Sequence, residues 1–439
     1  MLKAGFSRLD VTPPLGSYVA GYFLARYAKG VLDPIYLNAL AMSDGEETAV
    51  LITADFLNLD VTCADELRDL IEKRTGIPAG HVMISCLHQH TSVTIRDKDA
   101  TSVTKDTVYR DYLWRKFADV AQMAMNDLGE ATLSMGQRET EKPIAFIRRY
   151  YMKDGTVATN PREDQRENID RPCDQADNTV RLLRFSRKEG KDIALVNFST
   201  HPDVIGGELL SADWPGFVRR FVEEDIENVS CLLLNGVQGD SNHFNPIAGQ
   251  RRRGYDYSQY MGRMIADAVK LLWNETEPCE VSYVKADVTA VYNRTRTMGE
   301  ETYEACRKLL ADHEAKGKES PYSITELGNA KRIVGLRTAT IYRRLSVTAI
   351  SLGKIALVGF GGEPFTHYAT ALRAACPDYT IVAACCTNGA AGYLPTAMAF
   401  AEGGYEAGAS FFSETLESES VTAAAELLKS LAKESRDEE

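Results

Sequence analysis

The chain has 439 residues, 44% hydrophobic and 26% charged, with a formal net charge of −12. This suits a globular protein with a large core, and the acidic balance argues against non-specific binding to nucleic acid or an anionic membrane surface. Nine cysteines, odd in number and with no CxxC pair, include Cys86, Cys231, Cys385 and Cys386 in apolar runs, which suits buried thiols better than a disulfide framework and argues against a cysteine zinc cage. No apolar run reaches bilayer length and residues 1–10 lack a signal-peptide core, so no transmembrane segment and a cytoplasmic location are expected.

Residues 1–45 read as turn-rich, with a strand expected at 39–43. An apolar, β-branched strand at 48–56 precedes a helix over about 63–74, striped by Leu67, Leu70 and Ile71 and stopped by Gly76 and Pro78. The run at 82–87 reads as a buried strand that ends abruptly in His88-Gln89-His90, and the chain has only seven histidines. Side chains two apart on an extended segment share a face, which would converge His88 and His90 on one point. A polar loop at 96–106 leads to an amphipathic helix over 107–128. Residues 150–178 are the most polar stretch and lack periodicity, as a lid or a solvated insertion would.

Strand, polar end and helix then recur. A strand at 193–198 ends at His201, and one at 229–234 ends at Asn235-Gly-Val-Gln-Gly-Asp240; helices are expected at 214–224 and 257–273. A β-like run at 281–292, a charged helix at 300–316 and a second helix after Pro321 follow. Strands at 347–352 and 354–360 lead to Gly361-Gly-Glu363 and a helix to about 375. The last apolar strand, 379–386, empties into a Gly/Ala loop carrying Tyr393 and Tyr405, before a C-terminal helix and a solvated tail from Lys433. No repeat is visible.

This alternation predicts an α/β fold, a mixed β-sheet core flanked by helices, with ligands beyond the strand ends. His88, His90, His201, Asp240, Glu363 and Tyr393 all fall just past such ends. Two or three histidines with a carboxylate form the usual ligand set of hydrolytic zinc, which activates water and polarises a carbonyl. Capping of a strand by His201 and of a helix by Glu363 is the other reading.

Several short elements stand in one register. They are Ala4-Gly-Phe-Ser-Arg-Leu-Asp-Val-Thr-Pro-Pro14, His88-Gln-His-Thr-Ser92, Asn197-Phe-Ser-Thr-His201, Ser211-Ala-Asp-Trp-Pro-Gly216 and Gly362-Glu-Pro-Phe-Thr366. Gly392-Tyr393 and Tyr405-Glu-Ala-Gly-Ala409 complete the series. Together they resemble the catalytic domain of the neutral (non-lysosomal) ceramidases, zinc-dependent amidases, over about residues 2–410, and imply a single catalytic domain spanning 1–439. The resemblance implies Zn²⁺ held by His88, His201, Glu363 and Tyr393. It implies catalytic or substrate-orienting roles for His90 and Tyr405, and for Arg148 (or Arg149) of Ile147-Arg-Arg-Tyr150. His90 or Asp240 could carry the proton to the leaving amine. The family's loop serine falls at Asn242, with Ser241 one place early, so a metal-activated water is the simpler nucleophile. The expected activity is hydrolysis of an amide bond in a small N-acylated substrate. Another metallohydrolase, of amidohydrolase or phosphoesterase type, or an inactive homologue binding an acylated ligand, are the alternatives.

Overall fold

In the strand Tyr36–Ser43 both faces are apolar, and each face enters a different core. Ala39 and Ala41 pack with one cluster, Leu40 and Met42 with another. A strand covered on both sides reads as a continuous apolar run. The computed structural model describes residues 1–96, 106–322 and 324–433. It shows why such runs dominate the chain.

One unit occurs three times in chain order. In the first, Lys3–Asp10 (β1), Tyr36–Ser43 (β2) and Thr48–Ala54 (β3) pair antiparallel in sequence; helix Val61–Thr75 (α1) then crosses over to Val82–Cys86 (β4), parallel to β3, and helix Thr107–Asn126 (α2) follows. The second repeats those pairings with Gly129–Glu139 (β5), Thr179–Arg187 (β6), Asp192–Phe198 (β7), Asp213–Asp225 (α3), Val229–Asn235 (β8) and Tyr255–Leu272 (α4). The third opens with Val284–Arg294 (β9) and inserts a hairpin of Glu300–Lys316 (α5) and Ile324–Leu336 (α6). It closes with Tyr342–Leu352 (β10), Ile355–Phe360 (β11), Thr366–Ala375 (α7), Thr380–Ala384 (β12) and Leu416–Lys433 (α8). A repeat of topology is therefore present where the sequence shows none. Register and crossover define it, and many side-chain patterns satisfy both.

The first two units share one sheet, ordered β8-β7-β6-β5-β1-β2-β3-β4, through the short β1–β5 contact; the third forms its own sheet, β9-β10-β11-β12. Each unit packs its helices on one face. The opposite faces of all three meet in a central core that includes Leu40 and Met83, Leu195 and Leu234, and Ile350 and Val382. The ends of β4, β8 and β12 are laced together: the backbone N–H of Cys86 donates to Cys386 O (3.1 Å), that of Cys385 to Asn235 O (3.1 Å), and Asn235 Nδ2 to Leu87 O (3.0 Å). Mixed sheets flanked by helices are the expected architecture, and the nine cysteines are free.

Two further expectations change. Residues 3–10 form a strand rather than a turn-rich lead, paired with β2 along its whole length. Residues 150–178 are not an irregular loop: Arg149–Met152, Val157–Thr159 and Ile169–Pro172 make a three-stranded sheet beside a 3₁₀ turn, Glu163–Asn168. Half-exposed short strands carry polar side chains, which erases the periodicity. The expected loop at 96–106 lies mostly, and the tail after Lys433 wholly, outside the described residues.

Candidate metal centre

Strand β4 stops at Cys86, and His88 then takes a left-handed φ of 73°. His88 and His90 therefore do not converge by strand alternation as expected. They converge because the chain turns, which brings their rings 5.1 Å apart at 76°. The turn is held by the His88 N–H donating to Phe56 O (2.9 Å). Gln89 points away, donating to Asp55 Oδ1 (3.2 Å), itself in a bidentate ion pair with the buried Arg219. Gly21 is required opposite: a Cβ there would stand 2.5 Å from His90 Nδ1, and its φ of 102° already favours glycine.

His201 and Glu363 arrive by a shared local rule. Each is the third residue past the third strand of its unit, after Phe198 in β7 and Phe360 in β11. The corresponding residue of the first unit is Leu57, past Ala54 of β3. Its carbonyl accepts from His88 Nδ1 (2.9 Å), while His201 Nδ1 donates to Gln238 O (2.8 Å) and Ser241 O (3.0 Å). A carbonyl can only accept, so both rings carry a proton on Nδ1 and turn Nε2 inward. Between them lies Glu363 Oε2, 3.4 Å from His88 Nε2 and 3.2 Å from His201 Nε2. That oxygen is buried and makes no hydrogen bond among the described residues. Gly239 permits the approach, since a Cβ there would lie 2.2 Å from the Glu363 carbonyl oxygen.

This donor set fits a metal ion. Two imidazole nitrogens and a carboxylate oxygen face one another, and a cation satisfies all three. Burial alone would raise the Glu363 pKa, yet the two histidines hold it well below the usual carboxylate range. Burial opposes charge on His88 as well, but Glu363 keeps its pKa above the ordinary value; burial keeps that of His201 below. A proton on His88 is thus what a metal would displace. His90 completes a buried three-histidine group whose donor atoms lie within 4.8 Å of one another. The group could hold a metal, and His88 and His201 belong to both donor sets.

No protein-family model matches the chain, and a sequence search of curated proteins gives no match. Solved structures do match. A neutral ceramidase from Pseudomonas aeruginosa aligns with a TM-score of 0.72 and 14% identity, over 99% of this chain and 75% of that one. A ceramidase complexed with C2 gives 0.70 and 13%, with the same 99% and 75% coverage. The chain has the neutral ceramidase fold. At this identity the likeness carries architecture, and side-chain roles must be argued from the site itself.

Within the neutral ceramidase fold, the remaining expected residues separate. Tyr393 lies beside Glu363 through a two-residue parallel pairing, with Glu363 N–H donating to Gly392 O (2.8 Å). Arg148 Nη1 is 3.4 Å from both His201 Nε2 and the Tyr393 hydroxyl, and the Tyr405 ring lies 5.8 Å from that of Tyr393. Arg149 turns away to Gly403 O (2.7 Å) and Glu402 (3.1 Å), so Arg148 is the arginine at the site. Asp240 is placed differently: its Oδ1 accepts from Thr366 N and Oγ1, both at 2.8 Å, which caps α7 from outside. Ser241 contributes its carbonyl to His201, and its hydroxyl faces Ser199 O (3.5 Å). Asp203 went unnoticed in the sequence. It accepts a hydrogen bond from Tyr22 and stands 4.0 Å from His90 Nδ1; its position two residues past His201 was the available signal. His88, His90, Glu363, Tyr393 and Tyr405 open onto a cavity of about 550 Å³.

Proposed function

We propose that this protein is a zinc-dependent hydrolase of an amide (N-acyl) bond, its three units acting as one catalytic domain. One observation carries the reading: the inward-turned Nε2 atoms of His88 and His201 flank an ionised Glu363 oxygen, without a hydrogen-bond partner among the described residues, at the floor of a cavity. The likeness to ceramidases supports the choice of amide over phosphoester. His88, His201 and Glu363 are assigned as ligands, with Tyr393 as the fourth. Bound zinc would supply an acidified water and polarise the substrate carbonyl.

The chain's own residues do the rest. Burial pushes His90 down to about 3, so it is neutral near pH 7, and its ring nitrogens, free of hydrogen bonds among the described residues, can donate one hydrogen bond to the bound substrate and accept another. Arg148 and the Tyr405 hydroxyl are the donors available to a developing oxyanion, each worth about 3 kcal/mol in comparable sites. The hydrolysis splits the C–N bond, leaving a carboxylic acid and an amine.

The test is metal content by mass spectrometry on protein purified without chelators, alongside turnover of N-acyl substrates. Wild type is expected to hold about one zinc per chain, and His88→Ala and Glu363→Gln to lose metal and about 100-fold or more of the activity. A Glu363→Gln protein with full zinc and full turnover would overturn the assignment.

A further inference from the structure

The cavity carries positive charge that an amide does not require. Arg332, from α6, and Arg343, from β10, both line it. Among the described residues no carboxylate lies within ion-pair distance of either, in contrast to other arginines of the fold. Arg219 is paired with Asp55, Arg149 with Glu402, and Arg344, next to Arg343, with Asp65 at 2.5 Å. Strand alternation explains the contrast: Arg344 faces α1 and finds Asp65, whereas Arg343 faces the cavity. The Arg343 guanidinium lies 4.2 Å over the Phe411 ring, its Nε has no hydrogen-bond partner among the described residues, and burial lowers its pKa. Arg332 lies 5.4 Å over Phe23 and 5.7 Å over Tyr405, with a hydrogen bond to Asn329 (3.0 Å). The acids lining the same space are engaged: Glu363 sits between the two histidines, and Asp60 caps α1 through Thr62 N (2.9 Å).

Aromatic faces hold both guanidinium planes and leave their donors for a ligand. A desolvated guanidinium without a counter-charge is costly, and a planar oxyanion received by its fork offsets that cost. We propose that the N-acyl substrate carries an oxyanion, a carboxylate or phosphate, which Arg343 and Arg332 receive while the amide lies over His88, His201 and Glu363. This rests on the hydrolase reading above.

Three substrates test it: N-octanoylglycine, N-octanoyl-O-phosphoethanolamine and the neutral N-octanoylethanolamine, which share the acyl chain and a two-carbon amine. For at least one anion, kcat/KM is expected to exceed that of the neutral compound about tenfold or more. Arg343→Gln and Arg332→Gln, checked for folding by circular dichroism, should each shrink that ratio, and the preferred anion identifies the group. A ratio near unity in wild type, or an unchanged ratio in both variants, overturns the inference and leaves the hydrolase standing. If none of the three is cleaved, calorimetric binding of each to the zinc-loaded protein separates the two claims. Anion-selective binding lost in the variants upholds the arginine site while the hydrolase reading fails; absence of selectivity overturns the arginine site.

Discussion

His90 and His243 are buried with no ring nitrogen hydrogen-bonded among the described residues, and burial pushes both to about 3. An unfolded chain binds a proton on each near pH 6.5, while the folded chain refuses it until about 3. Each therefore costs stability as pH falls through that window, by up to about 1.4 kcal/mol per pH unit. Asp213 and Asp240 act in the opposite sense. Burial raises both to about 6, so the folded state binds their protons first and gains stability as pH falls from 6 towards the ordinary 3.8. His243→Phe, away from the proposed ligands, isolates one term. Its urea-unfolding stability should fall less steeply than wild type between pH 6 and 4; parallel profiles would show that His243 is not desolvated as described.

Elements around the centre are fastened by buried charge. Glu406, fully buried on the short helix Tyr405–Ala409, forms an ion pair with Arg148 Nε (2.9 Å), accepts from Thr159 Oγ1 (2.8 Å) and stands 3.6 Å from Arg149. It joins the small sheet at 149–172 to the segment bearing Tyr393 and Tyr405. Glu406→Gln keeps the shape but leaves two buried guanidiniums short of a counter-charge, a change expected to cost about 3–5 kcal/mol. Chemical denaturation would measure it, and a loss within experimental error would mean that solvent reaches the pair. The same logic explains why some strands were hard to read. In β6, Arg181 and Arg184 are neutralised by Asp177 (2.9 Å) and Asp192 (3.0 Å) only once the chain is folded. In linear form they look like a solvated stretch. Strands β4, β8 and β11 have no such charges and were legible at once.

Across the whole molecule, each unit places its long connection between its first and second strands: 11–35, 140–178 and 295–341. These supply Tyr22 and Phe23, Arg148, and Arg332 respectively, so the connections build walls while strand ends build the floor. The α5–α6 hairpin serves mainly as a wall: α5 buries no residue, α6 buries Ala330 and carries Arg332 to the cavity, and Arg294 pairs directly with Tyr342 at the base. Replacing residues 299–338 by a short turn should leave a folded protein with its metal content intact and altered substrate preference. Circular dichroism and metal analysis would check this, and an unfolded product would show that the hairpin carries part of the core.

The sequence by itself marked the residues proposed as metal ligands. His88, His201 and Glu363 each follow an apolar run that must be buried on both faces, so a linear pattern marks the point where the chain leaves the core. It also marked Tyr393 and Tyr405, through their register with a known family. Only the tertiary structure decided the turn at His88, the inward Nε2 atoms, the arrival of Asp203 at His90, the diversion of Asp240 to α7 and the exposure of Arg343 to the cavity. It alone decided the threefold repetition of the unit. Burial leaves its trace on single residues in sequence, whereas convergence, tautomer and repetition are properties of pairing between segments far apart in the chain.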